Sequence, residues 1–182
     1  MRKGFALIGA VVIFAFGLIL HYSYIISDGT VWSILISSIN NSAWEILKPF
    51  AIAYIMWIII ELSVLRPSLL HFICTKILML YLLAFMVIIY SLCVRYFVNS
   101  FLSEIIFMSG ILIIIATVQI ISYKIYASKI KLEIFCIPIL IAMLLFFIMI
   151  LFFSLYPPHF IVFRDFESGL YGLMREFVIC SA

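Results

Sequence analysis

Apolar residues in this chain gather into five runs, each close to the roughly 20 residues that a helix needs to cross a hydrocarbon core of about 30 Å, and polar residues collect in the short stretches between them. The runs predict membrane-spanning helices over residues 4–26, 44–65, 70–94, 104–123 and 134–156, followed by a tail over 157–182. The first run follows Arg2 and Lys3 and has the position of a secretory leader. It is long for one, and no small-residue cleavage site precedes a polar region, so it is expected to stay as a helix. The second run stops before Arg66 and Pro67, where proline disfavours helix in the residue ahead of it. The third is bounded by Arg95, and Pro157-Pro158 ends the fifth by removing two backbone donors. The expected fold is all-α: a polytopic transmembrane helical bundle forming one integral membrane domain over 1–182, without internal repeats.

Composition explains why the runs belong in a bilayer. With 68% hydrophobic and 10% charged residues and a mean hydropathy of +1.38, the chain has more apolar surface than one soluble domain of this size can bury in itself. A net charge of +3, scattered along the chain, excludes the clustered basic face that a nucleic-acid partner requires. The charges serve instead as topology markers, because cytoplasmic loops retain Lys and Arg. With the N-terminus in the cytoplasm, the inner segments hold Arg2, Lys3, Arg66, Lys76, Lys124, Lys129 and Lys131. The outer ones hold Lys48, Arg95, Arg164 and Arg175, a count of seven to four.

That orientation brings distant polar residues to one side. The stretch between the first two spans and the C-terminal tail both fall outside, and His21 lies near the same face. His21, Asn40, Asn41, Trp44, Glu45, Lys48, His159, Arg164 and Asp165 are therefore candidate ligand-binding residues. Ser42 and Glu45 have capping-box spacing, with Ser42 accepting from the Glu45 N–H and the carboxylate reaching back to the Ser42 N–H. Trp44 suits the membrane interface. Lys48 lies one helical turn beyond Glu45 and either pairs with it or snorkels to head groups. Pro49 falls near the start of the helix, where it is tolerated or kinks the entry. Charges at the edge of the hydrocarbon region are costly unless paired or hydrated, so they tend to mark a cavity. A cavity lined by Glu45, Lys48, His21 and Asp165 would bind a polar head group, and Glu45, Asp165 and His21 there would permit acid/base chemistry. His21, His159, Glu45 and Asp165 also contain the residue types of a zinc shell. No pair has motif spacing, so neither a metal nor another cofactor is expected.

The remaining polar residues read as structural. Glu61 and Lys76 are expected at similar depth, as a pair, and Gln119 and Ser91 suit hydrogen bonds between helices. Cys93 and Cys180 fall on the outer side, where a disulfide would pin the tail to the third span. The tail is apolar and aromatic over 157–163 but too short to span, and alternates at helical spacing over 170–179, as a short interfacial segment does.

One string carries a resemblance: Asn40-Asn41-Ser42-Ala43-Trp44-Glu45-Ile46-Leu47-Lys48, with Leu20-His21 before it and Tyr156-Pro157-Pro158, Phe163, Asp165 and Tyr171-Gly172 after it. It resembles a family of small bacterial integral membrane proteins known only as a domain of unknown function, with the patterns N-E-S-x-W-E-H-L-K, P-P-x-x-x-L-F-x-D and Y-G. Asn41 stands where the family usually has Glu, and Ile46 where it has His, so a mechanism needing that second acid or that histidine has no basis here. The resemblance implies a bacterial cytoplasmic membrane and brings no activity with it. No nucleophile motif, P-loop, dinucleotide fingerprint or metalloprotease helix is present. Three classes remain. The first binds a lipid or small molecule, the second is an intramembrane enzyme on a lipid-linked substrate, and the third is a non-catalytic transporter or assembly subunit with an oligomeric or partner contact.

Overall fold

In the computed structural model, residues 3–27, 30–94, 101–128 and 132–172 are described. They form six helices: α1 (Lys3–Ile26), α2 (Val31–Ile36), α3 (Ala43–Leu65), α4 (Leu69–Val94), α5 (Phe101–Ala127) and α6 (Cys136–Leu155). Five are long and apolar enough to cross a membrane, over Gly4–Ile26, Ala43–Leu65, Leu69–Val94, Glu104–Ala127 and Cys136–Leu155. The chain is thus an all-α, multi-pass membrane protein. The fourth span runs four residues beyond the expected end at Tyr123. The fifth starts at Cys136 instead of Ile134, because Leu132–Phe135 form a 3-10 turn.

α3 is the central helix, with 56% of its spanning stretch buried against 11% for the outermost helix, α6. α1 packs on α3 and α5, α4 packs on the same two, and α6 lies against α4 and α2. Lipid is as apolar as these side chains, so helix association rests on close packing and interhelical hydrogen bonds. α1 shows how. Its buried positions are Ala6, Gly9, Ala10, Ile13, Gly17 and His21, a single stripe at helical spacing. A Cβ at Gly9 would overlap the Trp57 ring, and one at Gly17 the Phe50 ring. The two glycines therefore let α3 lay its large aromatics directly on the α1 backbone.

α2 was not expected from the sequence. Ser37, at its end, accepts from the Tyr24 N–H at 3.0 Å and donates to the His21 carbonyl at 2.9 Å, which docks the short helix on the last turns of α1. α3 stops at Arg66, a left-handed residue (φ 44°) whose N–H reaches the Leu62 carbonyl at 3.1 Å. Pro67 follows directly, as the sequence requires.

Past α6 the tail folds back. Ile161–Phe163 make a 3-10 turn, and Arg164 pairs with Tyr171 in an antiparallel bridge. The helical spacing expected from Leu170 is interrupted at its start: Gly172 turns at φ +62°, against Pro157. The rest of that stretch, with Arg175, Glu176 and Cys180, lies outside the described residues. The expected disulfide falls there too; Cys93 is exposed near the end of α4.

Candidate functional site

The site is built on the first two turns of α3. Ser42 caps the helix by accepting from the Glu45 N–H at 3.3 Å. The other half of the expected capping box is different. The Ser42 N–H goes to the Asn40 side chain at 3.0 Å, which is a local turn that Asn favours. The Glu45 carboxylate is thereby released to accept from the Ile39 N–H at 3.1 Å. Pro49 then sets the next contact. It has no N–H to give the Glu45 carbonyl four residues earlier, and Ser38 supplies the missing donor, its hydroxyl 2.6 Å from that oxygen. Ser38 has one proton and spends it there, so in its 2.8 Å contact with His21 Nδ1 the ring nitrogen donates.

Lys48 does not snorkel. It is fully buried, and its three ammonium protons have three acceptors: Glu45 Oε2 at 2.8 Å, the Ile34 carbonyl at 2.9 Å and Ser154 Oγ at 3.0 Å. One side chain thus joins α2, α3 and α6. Trp44 is also inside the protein and not at the lipid interface, with 4% exposure. Its ring centroid lies 5.5 Å from Phe153 and 5.3 Å from Phe163, so it packs the tail onto α6. Exposed aromatics at this end include Trp32, Tyr156 and Phe160.

The tail closes over the same end. The Asn41 N–H donates to Asp165 Oδ1 at 3.1 Å, and Asn41 Nδ2 to Glu167 Oε1 at 2.5 Å. The second Asp165 oxygen accepts from the Ser168 N–H at 3.1 Å and from the Ser168 hydroxyl. Burial pushes the Asp165 carboxyl up, but the Ser168 hydroxyl and the N–H groups of Ser168, Asn41 and Glu167 outweigh it and hold the group below the usual aspartate value. Gly169 turns at φ +73°, a conformation that glycine adopts without strain, and its carbonyl accepts from Arg164 Nε at 3.2 Å. Beside this loop lies an open cleft of about 220 Å³, lined by Ile161, Arg164, Asp165, Glu167, Ser168 and Gly169.

The structure brings His21, Asn40, Asn41, Trp44, Glu45, Lys48, Arg164 and Asp165 to one end of the bundle. His159 is there too, exposed, with its ring 4.8 Å from Tyr171. The expected cavity is different in kind: Glu45 and Lys48 fill their space with each other, and the cleft takes only Arg164 and Asp165 from the candidate residues. Glu45, Asp165 and His21 are held by separate partners and not as one acid/base group. Among the described residues, no three His, Cys, Asp or Glu side chains gather as a metal-binding group. Ser38, Ser154, Ser168 and the Ile34 carbonyl complete the network and were missed, since lone serines in apolar or loop sequence carry no motif.

A second polar cluster lies toward the other end. Lys76 Nζ is 2.6 Å from Glu61 Oε2 and donates to Gln119 Oε1 at 3.1 Å, joining α4 to α3 and α5. All three residues are buried. The ammonium also stands 5.5 Å from the Phe72 ring and 5.9 Å from the Tyr54 ring.

A family model described as a family of unknown function (DUF6512) matches residues 1–173, and the chain belongs to that family. No curated protein and no solved structure matches it.

Proposed function

We propose that this member of the family binds the polar head group of a lipid, or of a lipid-linked small molecule, at the tail end of the bundle. In this reading the N-terminus is cytoplasmic, the cleft opens on the outer face of a bacterial cytoplasmic membrane, and membrane lipids are the partners. The observation that carries the proposal is the cleft beside Arg164. An exposed guanidinium borders a preformed space of about 220 Å³, and guanidinium groups bind phosphate through several N–H donors at once. The surrounding surface supports the same depth. Trp32, Tyr156 and Phe160 are 78%, 70% and 68% exposed at this end, as expected of rings at head-group level.

Glu45 and Lys48 then act as supports. They hold α2, α3 and α6 in register, so the loop that carries Arg164 is placed on a rigid end and binding does not have to order it. Lipid retained by the purified protein in mild detergent tests the reading. Native mass spectrometry is expected to show a bound lipid on the wild type and its loss in Arg164→Ala. Equal retention by both proteins would remove the cleft from any binding role.

A further inference from the structure

The two buried lysines of this chain differ in how their protons are used. Lys48 has an acceptor for each of three. Lys76, 1% exposed, has Glu61 Oε2 at 2.6 Å and Gln119 Oε1 at 3.1 Å. Beyond these two, the ammonium meets only ring faces among the described residues, with the centroids of Phe72 and Tyr54 at 5.5 and 5.9 Å. The shortfall continues around it. Glu61 Oε1, Gln119 Nε2 and the hydroxyls of Ser122 and Tyr54 are buried and have no hydrogen-bond partner within the protein. All four residues are 0% exposed. The Tyr54 hydroxyl lies within range of Ser122 and of the Glu61 charge, yet neither hydroxyl completes a bond. Turning the Gln119 amide over gives no relief, because Lys76 needs its oxygen and both Nε2 protons then still require an acceptor.

These residues lie inside three membrane-spanning helices, α3, α4 and α5, where polar side chains are costly unless paired or hydrated. The unfilled groups are of both kinds. Glu61 Oε1 accepts, Gln119 Nε2 and the third Lys76 proton donate, and the two hydroxyls do either. The charges of Glu61 and Lys76 already cancel, so an ion of either sign would stand there uncompensated. Water carries no charge, donates and accepts, and when buried takes about two to four such partners. A route to it is also present. Gln119, Ser122 and Tyr126 follow at intervals of three and four residues on one face of α5, which puts Tyr126 about 10 Å further along the axis than Gln119. Half-buried there, Tyr126 has its hydroxyl 3.4 Å from that of exposed Ser68 and its ring centroid 5.3 Å from His71. A polar seam thus runs from the turn between α3 and α4 to the buried pair, and Phe72 stands along it, 6.1 Å from the Tyr126 ring. We infer that Tyr54, Glu61, Lys76, Gln119 and Ser122 form an internal water-binding site within the spans, filled from the Tyr126 end. The ion pair is then a hydrated intramembrane site and not a dry contact, independently of the head-group reading.

The test is X-ray radiolytic labelling of the purified full chain in detergent, in which hydroxyl radicals made from water oxidise the side chains beside it and mass spectrometry reads each residue. Phe72 and Tyr54, 1% and 0% exposed, are expected to label several-fold faster than Phe50 and Phe107, both 0% exposed and about three helical turns from Glu61 and Gln119 respectively. Rapid mixing into heavy-oxygen water identifies the source. Bound water exchanges slowly, so the isotope should enter the Phe72 product later than that of Tyr156, which is 70% exposed. Gln119→Leu keeps the bulk of the side chain without its amide and is expected to bring Phe72 and Tyr54 down to the Phe107 rate. Wild-type labelling of Phe72 and Tyr54 no faster than that of Phe107 overturns the site without recourse to a variant. Immediate isotope entry assigns the label to opening of the helices to bulk solvent and overturns it as well, and labelling that Gln119→Leu leaves unchanged overturns the assignment of the water to these side chains.

Discussion

Replacing Lys48 by methionine separates a buried support from a ligand-facing charge. Over 2.8 Å the attraction between Glu45 and Lys48 is roughly 6 kcal/mol at an effective dielectric of about 20. Desolvating the two ions costs several kcal/mol each, so the pair as a whole contributes little net stability. Losing one partner is another matter. In Lys48→Met the carboxylate of Glu45 stays buried with the Ile39 N–H, and the Ile34 carbonyl and Ser154 hydroxyl lose their donor. The expected loss is about 3–5 kcal/mol. In the double variant Glu45→Gln, Lys48→Met no charge remains, and the amide oxygen still accepts from Ile39. Most of the loss should return, leaving a deficit of about 1–2 kcal/mol for the stranded backbone and hydroxyl groups.

Reversible unfolding in mixed micelles, driven by a denaturing detergent and followed by tryptophan fluorescence, measures all three proteins. Trp44, packed between Phe153 and Phe163, reports on this end of the bundle. If Lys48→Met is as stable as wild type, the ammonium is hydrated and the buried network is wrong. If the double variant is as unstable as the single one, the loss comes from packing of the lysine stem and not from a stranded carboxylate.

Three further outcomes are expected. Glu61→Leu combined with Lys76→Met should match wild type within about 1 kcal/mol or exceed it, whereas Lys76→Met alone should lose about 3–5 kcal/mol in the same unfolding assay. Asp165 has a lowered pKa, so its contribution is complete above the ordinary aspartate value near 3.9 and is lost as pH falls below that through the depressed value; protease cleavage of the tail should rise over that acid range in wild type, and Asp165→Asn should flatten the rise. Ser38→Ala should cost about 1–3 kcal/mol by leaving the Glu45 carbonyl without a donor, and much less when Pro49→Ala restores a backbone N–H to that carbonyl; additive effects in that double-mutant cycle would mean that Ser38 acts elsewhere.

Span count was legible because it depends on little more than length and hydropathy, and the convergence of the motif with the tail followed from parity: an odd number of spans puts the start of α3 and the end of α6 at one end. What stayed hidden was the inward direction of side chains. In a chain where nearly every position is apolar, the buried stripe of α1 is marked by small size and not by polarity, so Ala6, Gly9 and Gly17 carry the signal that hydropathy does not. Trp44 was assigned to the interface for the same reason, since nothing local says that Phe163 folds back over it. Glu61 and Lys76 were easier, because an isolated charge in a span has few ways to be accommodated and an opposite charge at matching depth is the simplest.

The Pro49 step shows how much of the site the sequence could have yielded to a stricter accounting of donors and acceptors. A proline seven residues into α3 must strand the carbonyl of Glu45, and a stranded carbonyl at a buried position requires a donor from outside the helix. The residues just ahead of the cap are the nearest source, and Ser37 and Ser38 are the hydroxyls there. Once Ser38 donates to that carbonyl, the chain is pulled back along α3 and the Ile39 N–H arrives at the Glu45 carboxylate. Its charge is then partly satisfied, and the same oxygen, Oε2, also accepts from Lys48. The glutamate therefore reads first as the consequence of a helix-interior proline, and the chemistry of this end of the bundle passes to an exposed cation of the site, Arg164.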